Sequence, residues 1–275
     1  MIDDMRRVLA CTAAVFIAAA PLCAHDFWLA PTEWQPAPAG QSLTIVGSVG
    51  DKFPVVSDWA IPSGVDTWRV LGPGGVLKVE GTPQSFRQQG KSIATTFAAD
   101  VPGAYLGLMT VKMRVLAQPA DEFNTYLKDE GLAHVLAERA RLGQTKVPVR
   151  ERFARYSKVI VRRGEGAAPY VTTPVGHAGE FVPASDPTLL QAGEPLVVQL
   201  LVEGKPMAGV ALGAASEKAQ LSVQTDADGR ATFALPNAGP WLIHTVFMRR
   251  PAAPGSPPVD WESYWVTLTF RTAAR

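Results

Sequence analysis

His25 is the residue of this sequence whose type and position best suit metal chemistry. The segment before it predicts a secretory signal peptide, with Arg6 and Arg7 as a basic start, Val8 to Ala20 as an apolar run and Ala24 as the small residue at the cleavage site. Cleavage there would make His25 the first residue of the mature chain. An imidazole (pKa about 6.5) is largely neutral near neutral pH, and an α-amine (pKa about 8) loses its proton readily to a metal, so both can act as nitrogen donors. One residue could then chelate a divalent late transition metal.

A second imidazole would complete a nitrogen ligand set of the kind that suits Cu(II) or Ni(II). The sequence contains three further histidines. His177 is the preferred partner because it lies in a glycine-flanked segment between the two predicted domains. His244 comes second, on a predicted strand whose face is otherwise apolar, and His134 on a predicted helix is the least favoured. The predicted metal ligands are therefore His25, His177 and His244.

Three acidic residues could support such a site. Asp26, Asp260 and Glu262 could supply carboxylate oxygens or orient an imidazole. The alternative is structural, with these acids in solvated loops or paired with Arg249 and Arg250, and each histidine held by an ordinary hydrogen bond. The residues alone leave both interpretations open.

Composition narrows the possible functions. Both cysteines, Cys11 and Cys23, fall in the predicted signal peptide, which excludes a disulfide framework and a cysteine-ligated metal site in the mature chain. With 26 basic and 25 acidic residues the net charge is +1, and no basic cluster is interleaved with aromatic residues, so nucleic acid is not an expected partner. No second apolar stretch reaches membrane-spanning length. These features predict an exported, periplasmic protein that does not span the membrane.

The elements that must position these residues are mainly β-strands. We predict two immunoglobulin-like β-sandwich domains with a helical insert between them. The predicted division is a signal peptide (1–24), an N-terminal sandwich (25–118), a helical insert packing on the first domain (119–162), a linker (163–187) and a C-terminal sandwich (188–275). Within the insert, apolar residues from Asp121 onward recur at helical spacing, and Arg150 to Tyr156 resumes the helical pattern. The strands are predicted at Ser42 to Val49, Thr67 to Leu71, Val76 to Val79, Ile93 to Phe97, Tyr105 to Leu116, Pro195 to Glu203, Val210 to Ala214, Ala231 to Leu235, Trp241 to Met248 and Tyr264 to Phe270.

An ordered set of motifs supports a family resemblance. They are His25-Asp26-Phe27-Trp28-Leu29, the helix motif from Phe123 to Leu132, the stretch from Arg150 to Lys158, Thr225-Asp226-x-Asp228-Gly229, Gly239-Pro240-Trp241-Leu242-Ile243 and Asp260-Trp261-Glu262-Ser263-Tyr264-Trp265. Together they resemble the DUF4198 family over essentially the whole mature chain. The resemblance implies an exported protein similar to periplasmic nickel- or cobalt-uptake components, which bind metal through residues at the processed N-terminus.

The leading functional hypothesis is therefore a non-enzymatic periplasmic protein that binds Ni, Co or Cu and delivers it to a membrane or outer-membrane transporter. The main alternative is an exported module that binds a protein or glycan without any metal. A copper oxygenase with a histidine brace is a distant third. The sequence has no Gly-x-Ser-x-Gly turn, no glycine-rich phosphate loop and no His-Glu-x-x-His pair, which argues against the common hydrolase and nucleotide chemistries.

Overall fold

The computed structural model describes residues 25–34, 42–77, 85–252 and 258–274. The predicted signal peptide, including its cleavage site, lies outside the described residues. In chain order the strands are β1 (Asp26–Pro31), β2 (Ser42–Gly50), β3 (Val65–Gly72), β4 (Gly75–Leu77), β5 (Arg87–Gln89), β6 (Ser92–Ala98), β7 (Gly103–Gln118), β8 (Val149–Arg163), β9 (Gly179–Pro183), β10 (Pro195–Val202), β11 (Lys205–Pro206), β12 (Ala211–Ala215), β13 (Gln220–Gln224), β14 (Arg230–Ala234), β15 (Gly239–Arg249) and β16 (Trp261–Thr272), and the helices are α1 (Ala120–Asp129) and α2 (Ala133–Arg141).

The strands form three sheets, which confirms a mainly β fold. The largest has the order β13-β12-β15-β16-β8-β7-β3-β4. A second sheet has the order β1-β2-β6-β5, and a third consists of β11-β10-β14 with β9 on the other side of β10. Strands from both predicted sandwiches enter the eight-stranded sheet, where β8 and β16 join them by parallel pairing. The two predicted domains therefore share one continuous sheet.

The eight-stranded sheet is covered on both faces, and its strands alternate between two cores. On β7, Tyr105 and Met109 pack toward the β1-β2-β6-β5 sheet, while Leu106 and Leu108 pack toward the sheet that contains β10. This alternation follows from the two-residue period of a strand. Fully buried large side chains such as Trp241 contribute about 1.5–3 kcal/mol each to folding. The result is three stacked layers, with the β8–β16 pair in the middle one.

The stretch in which helical spacing begins at Asp121 contains the two helices α1 and α2. Phe123 and Leu127 of α1 pack against Val246 and Met248 of β15 and against Trp261 of β16. The strand residues of this cluster come from β8, β15 and β16, whereas we expected the helices to pack on the N-terminal sandwich. Neither helix of the described ranges is long and apolar enough to cross a membrane.

The helical pattern predicted at Arg150 to Tyr156 is wrong, because these residues lie in β8. This strand pairs with β7 along one edge and with β16 along the other, so its backbone hydrogen bonds go to distant segments of the chain. Such non-local pairing overrides a local spacing of apolar side chains. The correction matters for function because β8 lies directly beneath His25.

Candidate metal centre

Strand β1 is held against the eight-stranded sheet through its own carbonyl groups. One edge of β1 pairs with β2. At the other edge Ser157 Oγ donates to the Phe27 carbonyl at 3.2 Å, and Thr267 Oγ1 donates to the same oxygen at 2.9 Å. Arg155 Nη2 donates to the His25 carbonyl at 3.1 Å. These side chains satisfy an edge that would otherwise be unpaired, and they fix the backbone position of His25.

The His25 imidazole lies between two carboxylates of the segment that follows β2. Its Nε2 is 2.5 Å from Asp51 Oδ1, and its Nδ1 is 3.3 Å from Asp58 Oδ2. The segment folds back because the amide of Asp58 donates to the Val49 carbonyl at 3.2 Å. A Cβ on Gly50 would lie 2.2 Å from the Val55 carbonyl oxygen, so the fold-back requires glycine at this position. Both nitrogens of one histidine thus face acidic oxygens.

The next residue of β1 brings a second histidine to the same end of the molecule. Asp26 Oδ2 lies 3.0 Å from Nδ1 of His244, which belongs to β15. The ring of His244 lies over Gly213 of the neighbouring strand β12, where a Cβ would be 2.1 Å from Nε2. Glycine at 213 therefore makes the space that the imidazole occupies. Asp26 links the two histidines, because it follows His25 in the chain and contacts His244 through its side chain.

The charges around His244 favour retention of protons. Burial, the largest single influence, lowers the pKa of His244, but the charge and hydrogen bond of Asp26 together with the charge of Glu130 raise it by more, so the net pKa lies above its ordinary value. Burial, and then repulsion from Asp26, raise the pKa of Glu130 to about 8. Glu130 follows α1 and lines the same cleft. A cation entering the cleft would favour the ionised form of Glu130 and lower that pKa.

Asp26, Glu130 and His244 line a cleft of about 660 Å³. Its walls come from the segment after β2, the end of α1 and strands β12, β13 and β15, and they include Asp26, Asp51, Asp129, Glu130 and His244. Four carboxyl groups and an imidazole around one cavity form a site whose chemistry suits a cation with nitrogen and oxygen ligands.

The structure does not bring His177 to this cleft. Neighbouring residues of a strand point to opposite faces of its sheet. On β8, Arg155 reaches the His25 carbonyl, while the ring of Tyr156 contacts the ring of His177 with centroids 5.9 Å apart. The next even-numbered residue, Lys158, donates to Glu180 at 2.6 Å on the same side as His177. His177 therefore lies across the eight-stranded sheet from His25.

The remaining candidates from the sequence have structural partners outside the cleft. Asp260 accepts from the Arg150 amide at 2.8 Å. Glu262 accepts from Arg152 and from Arg249, each at 2.7 Å. His134 Nε2 is 3.2 Å from the Met248 carbonyl oxygen. These contacts agree with the structural interpretation of each residue.

Sequence reasoning missed Asp51, Asp58 and Glu130. Asp26 pairs with Gly50 in the antiparallel β1–β2 ladder, so residue 51 must lie opposite His25. Recognition of β1 as a strand would have revealed Asp51. Loop geometry brings Asp58 to the His25 ring and Glu130 to the cleft, and the sequence carries no periodic signal for either position.

The donor atoms of the cleft are not already arranged around a common point. Within the described ranges, no group of three or more His, Cys, Asp or Glu side chains is arranged to hold a metal ion. The nitrogens of His25 instead contact carboxylate oxygens, as in an ion pair or hydrogen bond. Metal binding would require the imidazole and the two carboxylates to separate by the width of an ion. The donor types nevertheless fit a divalent transition metal.

The fold and the cleft define a class: a mainly β protein of three stacked sheets with an acidic, histidine-containing cleft at the start of its first strand. The chain belongs to the DUF4198 family, a domain of unknown function, whose model matches residues 22–249. No curated protein matches the sequence.

Among solved structures, the D0–D1 domain of intimin aligns with a TM-score of 0.21 and 12% identity over 89% of this chain and 97% of that one. A 1.5-MDa bacterial ice-binding adhesin aligns with a TM-score of 0.24 and 8% identity over 92% and 65%. The Bacillus anthracis TIE protein aligns with a TM-score of 0.19 and 9% identity over 90% and 40%. TM-scores this low do not establish a shared fold.

Proposed function

We propose that this protein is a non-enzymatic periplasmic protein that binds a divalent transition metal, Ni, Co or Cu, in the cleft beside His25. The observation that carries the proposal is the position of the His25 imidazole between Asp51 and Asp58, with Asp26 linking the same strand to His244. The His244 imidazole and several carboxylates border one cavity, and the His25 imidazole contacts Asp51, which lines that cavity. Mixed nitrogen and oxygen donors of this kind suit late transition metals.

Each residue has a distinct proposed role. His25 would supply its imidazole and, after cleavage behind Ala24, its α-amine. Asp51 and Asp58 would supply carboxylate oxygens, since they already contact both ring nitrogens. His244 would be the second imidazole, oriented by its Nδ1 contact with Asp26. Arg155 would hold the His25 backbone through the carbonyl contact and thus position the chelating residue.

The proposed role is metal capture and delivery to a membrane or outer-membrane transporter. The cleft is open at the surface, and Asp51 and Asp58 are more than half exposed, so a ligand could enter and leave without unfolding the sheet. An exposed carboxylate set also binds more weakly than a closed structural site, which suits transfer.

The test is metal titration of mature protein whose N-terminus has been confirmed by mass spectrometry to be His25. We expect one equivalent of Ni(II), Co(II) or Cu(II) to bind, and His25→Ala to weaken binding at least about tenfold. A variant with one extra residue before His25 blocks the amine and should weaken binding as well. His134→Ala is the matched control and should bind as the wild type does.

Sub-stoichiometric uptake of all three metals, or uptake unchanged by His25→Ala, would overturn the proposal. Reductant-dependent peroxide production by the copper-loaded protein would instead favour the oxygenase hypothesis. Unchanged folding and partner binding in the presence of a chelator, together with absent metal uptake, would favour the metal-free module.

A further inference from the structure

Strand β13 forms one edge of the eight-stranded sheet, beside the cleft. It pairs with β12 along one side, and among the described residues no strand pairs with its other side. Its sequence, Gln220-Leu221-Ser222-Val223-Gln224, contains no charged residue and no proline. Proteins usually protect an exposed edge with such residues, because its free N–H and C=O groups can pair with another strand. Strand β13 therefore lacks the usual protection of an edge.

The other edge strands within the described ranges are protected. Strands β5, β9, β11 and β14 each contain a charged residue, and β9 and β11 also contain a proline. Strand β1 is covered by side chains of β8 and β16. Strand β4, at the opposite edge of the eight-stranded sheet, has three residues, and short edge strands are poor templates for pairing. The contrast marks β13 as the edge that can accept a further strand.

The side chains of β13 alternate between two environments. Leu221 and Val223 face the core beneath β12, but they are only partly buried because no further strand lies beside them. Gln220 and Ser222 are exposed on the other face and line the cleft. A strand added here would therefore have to bring apolar side chains to one face and polar side chains to the other.

A second copy of β13 meets this requirement. With the two strands antiparallel and Ser222 opposite itself, Leu221 lies opposite Val223 of the second copy, and Gln220 lies opposite Gln224. Apolar side chains then meet on the core face, and uncharged polar side chains meet on the cleft face. The strand is self-complementary, as an interface with two-fold symmetry requires.

The turns that flank β13 fit the same register. The turn before β13 carries Lys218, and the turn after it begins at Asp226; both residues are exposed. Antiparallel pairing brings Lys218 of one copy beside Asp226 of the other, twice by symmetry. Glu217 shares the turn with Lys218. The contact with Asp226 therefore fixes the register more than it adds affinity.

We propose that two copies of this chain form a dimer through antiparallel pairing of β13, with Ser222 at the two-fold axis. The two eight-stranded sheets then become one continuous sheet. A pair of five-residue strands is a small interface beside the roughly 800 Å² per partner of a stable complex. The dimer is therefore weak, and its population depends on the protein concentration.

The dimer places two clefts on one sheet face. His244 lies on β15, which is separated from β13 only by β12. Neighbouring strands lie about 4.8 Å apart, so the two His244 residues are about 24 Å apart, with both copies of Ser222 between them. Pairing does not depend on the metal proposal, because no residue of β13 is a proposed metal ligand. The two proposals can fail separately.

The first test is disulfide trapping in metal-free protein that begins at His25. Both native cysteines, Cys11 and Cys23, precede this residue, so an introduced cysteine is the only one present. Opposed residues of an antiparallel pair have Cα atoms about 4.5–5.5 Å apart, which suits a disulfide. We expect oxidised Ser222→Cys to form a covalent dimer at least about tenfold faster than Gln89→Cys, the control on the exposed edge strand β5.

The same chemistry tests the register. Gln224→Cys alone should form little covalent dimer, because position 224 lies opposite position 220 of the second copy. A mixture of Gln220→Cys and Gln224→Cys should form the covalent heterodimer. Equal trapping of Ser222→Cys and Gln89→Cys, or efficient trapping of Gln224→Cys with itself, would contradict the proposed pairing.

The second test is sedimentation equilibrium of the wild type over a wide range of protein concentration. We expect a reversible dimer whose Kd rises at least about tenfold in Ser222→Lys, because two ammonium groups then face each other across the axis. Gln89→Lys is the matched control and should dimerise as the wild type does. Equal thermal unfolding shows that all variants are folded. A wild type that stays monomeric at every concentration, or a dimer that Ser222→Lys does not weaken, would overturn the proposal.

Discussion

His177 and His244 lie on opposite faces of the same eight-stranded sheet, and their surroundings differ in sign. His244 contacts the Asp26 carboxylate, and Asp26 and Glu130 together outweigh burial and raise the pKa of its imidazole. Burial lowers the pKa of His177 to about 4, and the neighbouring Lys158 contributes to the same shift. His244 therefore lies among acids that favour a positive charge, whereas His177 is a neutral side chain packed inside the molecule.

This difference shows why residue type alone is a poor guide to metal ligation. His177 lies beside the buried ion pair of Lys158 and Glu180, with side chains 4% and 1% exposed. Glu180 also accepts from the amides of Val175 and Gly176 at 3.0 and 3.1 Å, so it fixes the segment that carries His177. The His177 face contains a buried ion pair that holds its segment in place, whereas the His244 face borders an accessible acidic cavity.

The largest effect expected on the His177 face comes from breaking its ion pair. Glu180→Gln leaves the Lys158 ammonium buried without a charged partner, which should lower the free energy of unfolding by about 3–5 kcal/mol. Urea unfolding at pH 7 measures it. Glu138→Gln is the matched control, because it breaks the partly exposed pair with Arg250 at 2.9 Å and should cost less than about 1 kcal/mol. Equal effects of the two substitutions would contradict the contrast between the faces.

The second prediction uses the depressed pKa of His177. A histidine with a pKa of about 4 when folded and about 6.5 when unfolded contributes stability that is fully present above pH 6.5. That contribution is lost as the pH falls toward 4, because the unfolded chain binds the proton first, and the full difference is about 3 kcal/mol. The free energies of unfolding at pH 7 and pH 4.5 should therefore differ less in His177→Leu than in the wild type. A variant with the same acid sensitivity as the wild type would show that His177 is not the titrating group.

The third prediction compares the two histidines as ligands, and it rests on the proposed metal site. His244→Asn should weaken Ni(II) or Cu(II) binding by about 10- to 100-fold, because it removes an imidazole from the cleft. His177→Asn should leave metal affinity unchanged, since that residue lies across the sheet. Isothermal titration of both variants with a verified N-terminus at His25 makes the measurement. The reverse order of effects would require a metal site on the His177 face.

Much of the fold could be predicted from strand periodicity and turn residues. Ten predicted strands correspond to β2, β3, β6, β7, β10, β12, β14, β15, β16 and, for its described part, β4. The missed strands, such as β1 and β8, have side chains buried on both faces or ion pairs inside the sheet, which removes the alternation of apolar and polar residues. The sequence also did not predict that the two predicted sandwiches share one sheet. This sharing depends on the parallel pairing of β8 with β16, two strands that are far apart in the sequence.

The candidate site was only partly predictable. Asp26, the residue after His25, lines the cleft, and so does His244, one of the predicted partners. The preference for His177 rests on the idea that a glycine-flanked segment can approach another domain, but the presence of glycines does not tell on which face of a sheet a loop is anchored. The ion pair of Glu180 and Lys158 anchors the His177 segment on its face of the sheet, and the sequence does not show that these two residues pair.

The smallest effect in this comparison should come from Gly213, which has no chemical group of its own. A Cβ at position 213 would lie 2.1 Å from Nε2 of His244, so Gly213→Ala must push the imidazole away from β12 and away from its contact with Asp26. The pKa of His244 should then fall toward its ordinary value, as followed by the NMR shift of its ring proton in metal-free protein. Metal affinity should decrease by less than about tenfold, since the ligand is displaced and not removed.

Gly176→Ala, next to His177, is the control on the opposite face of the sheet. A Cβ added at position 176 meets no atom within 4 Å, and the backbone φ of 86° strains an alanine only locally. The pKa of His244 should therefore not change. If Gly213→Ala also leaves the His244 pKa where it was, the close packing of that ring against β12 is not what holds it beside Asp26.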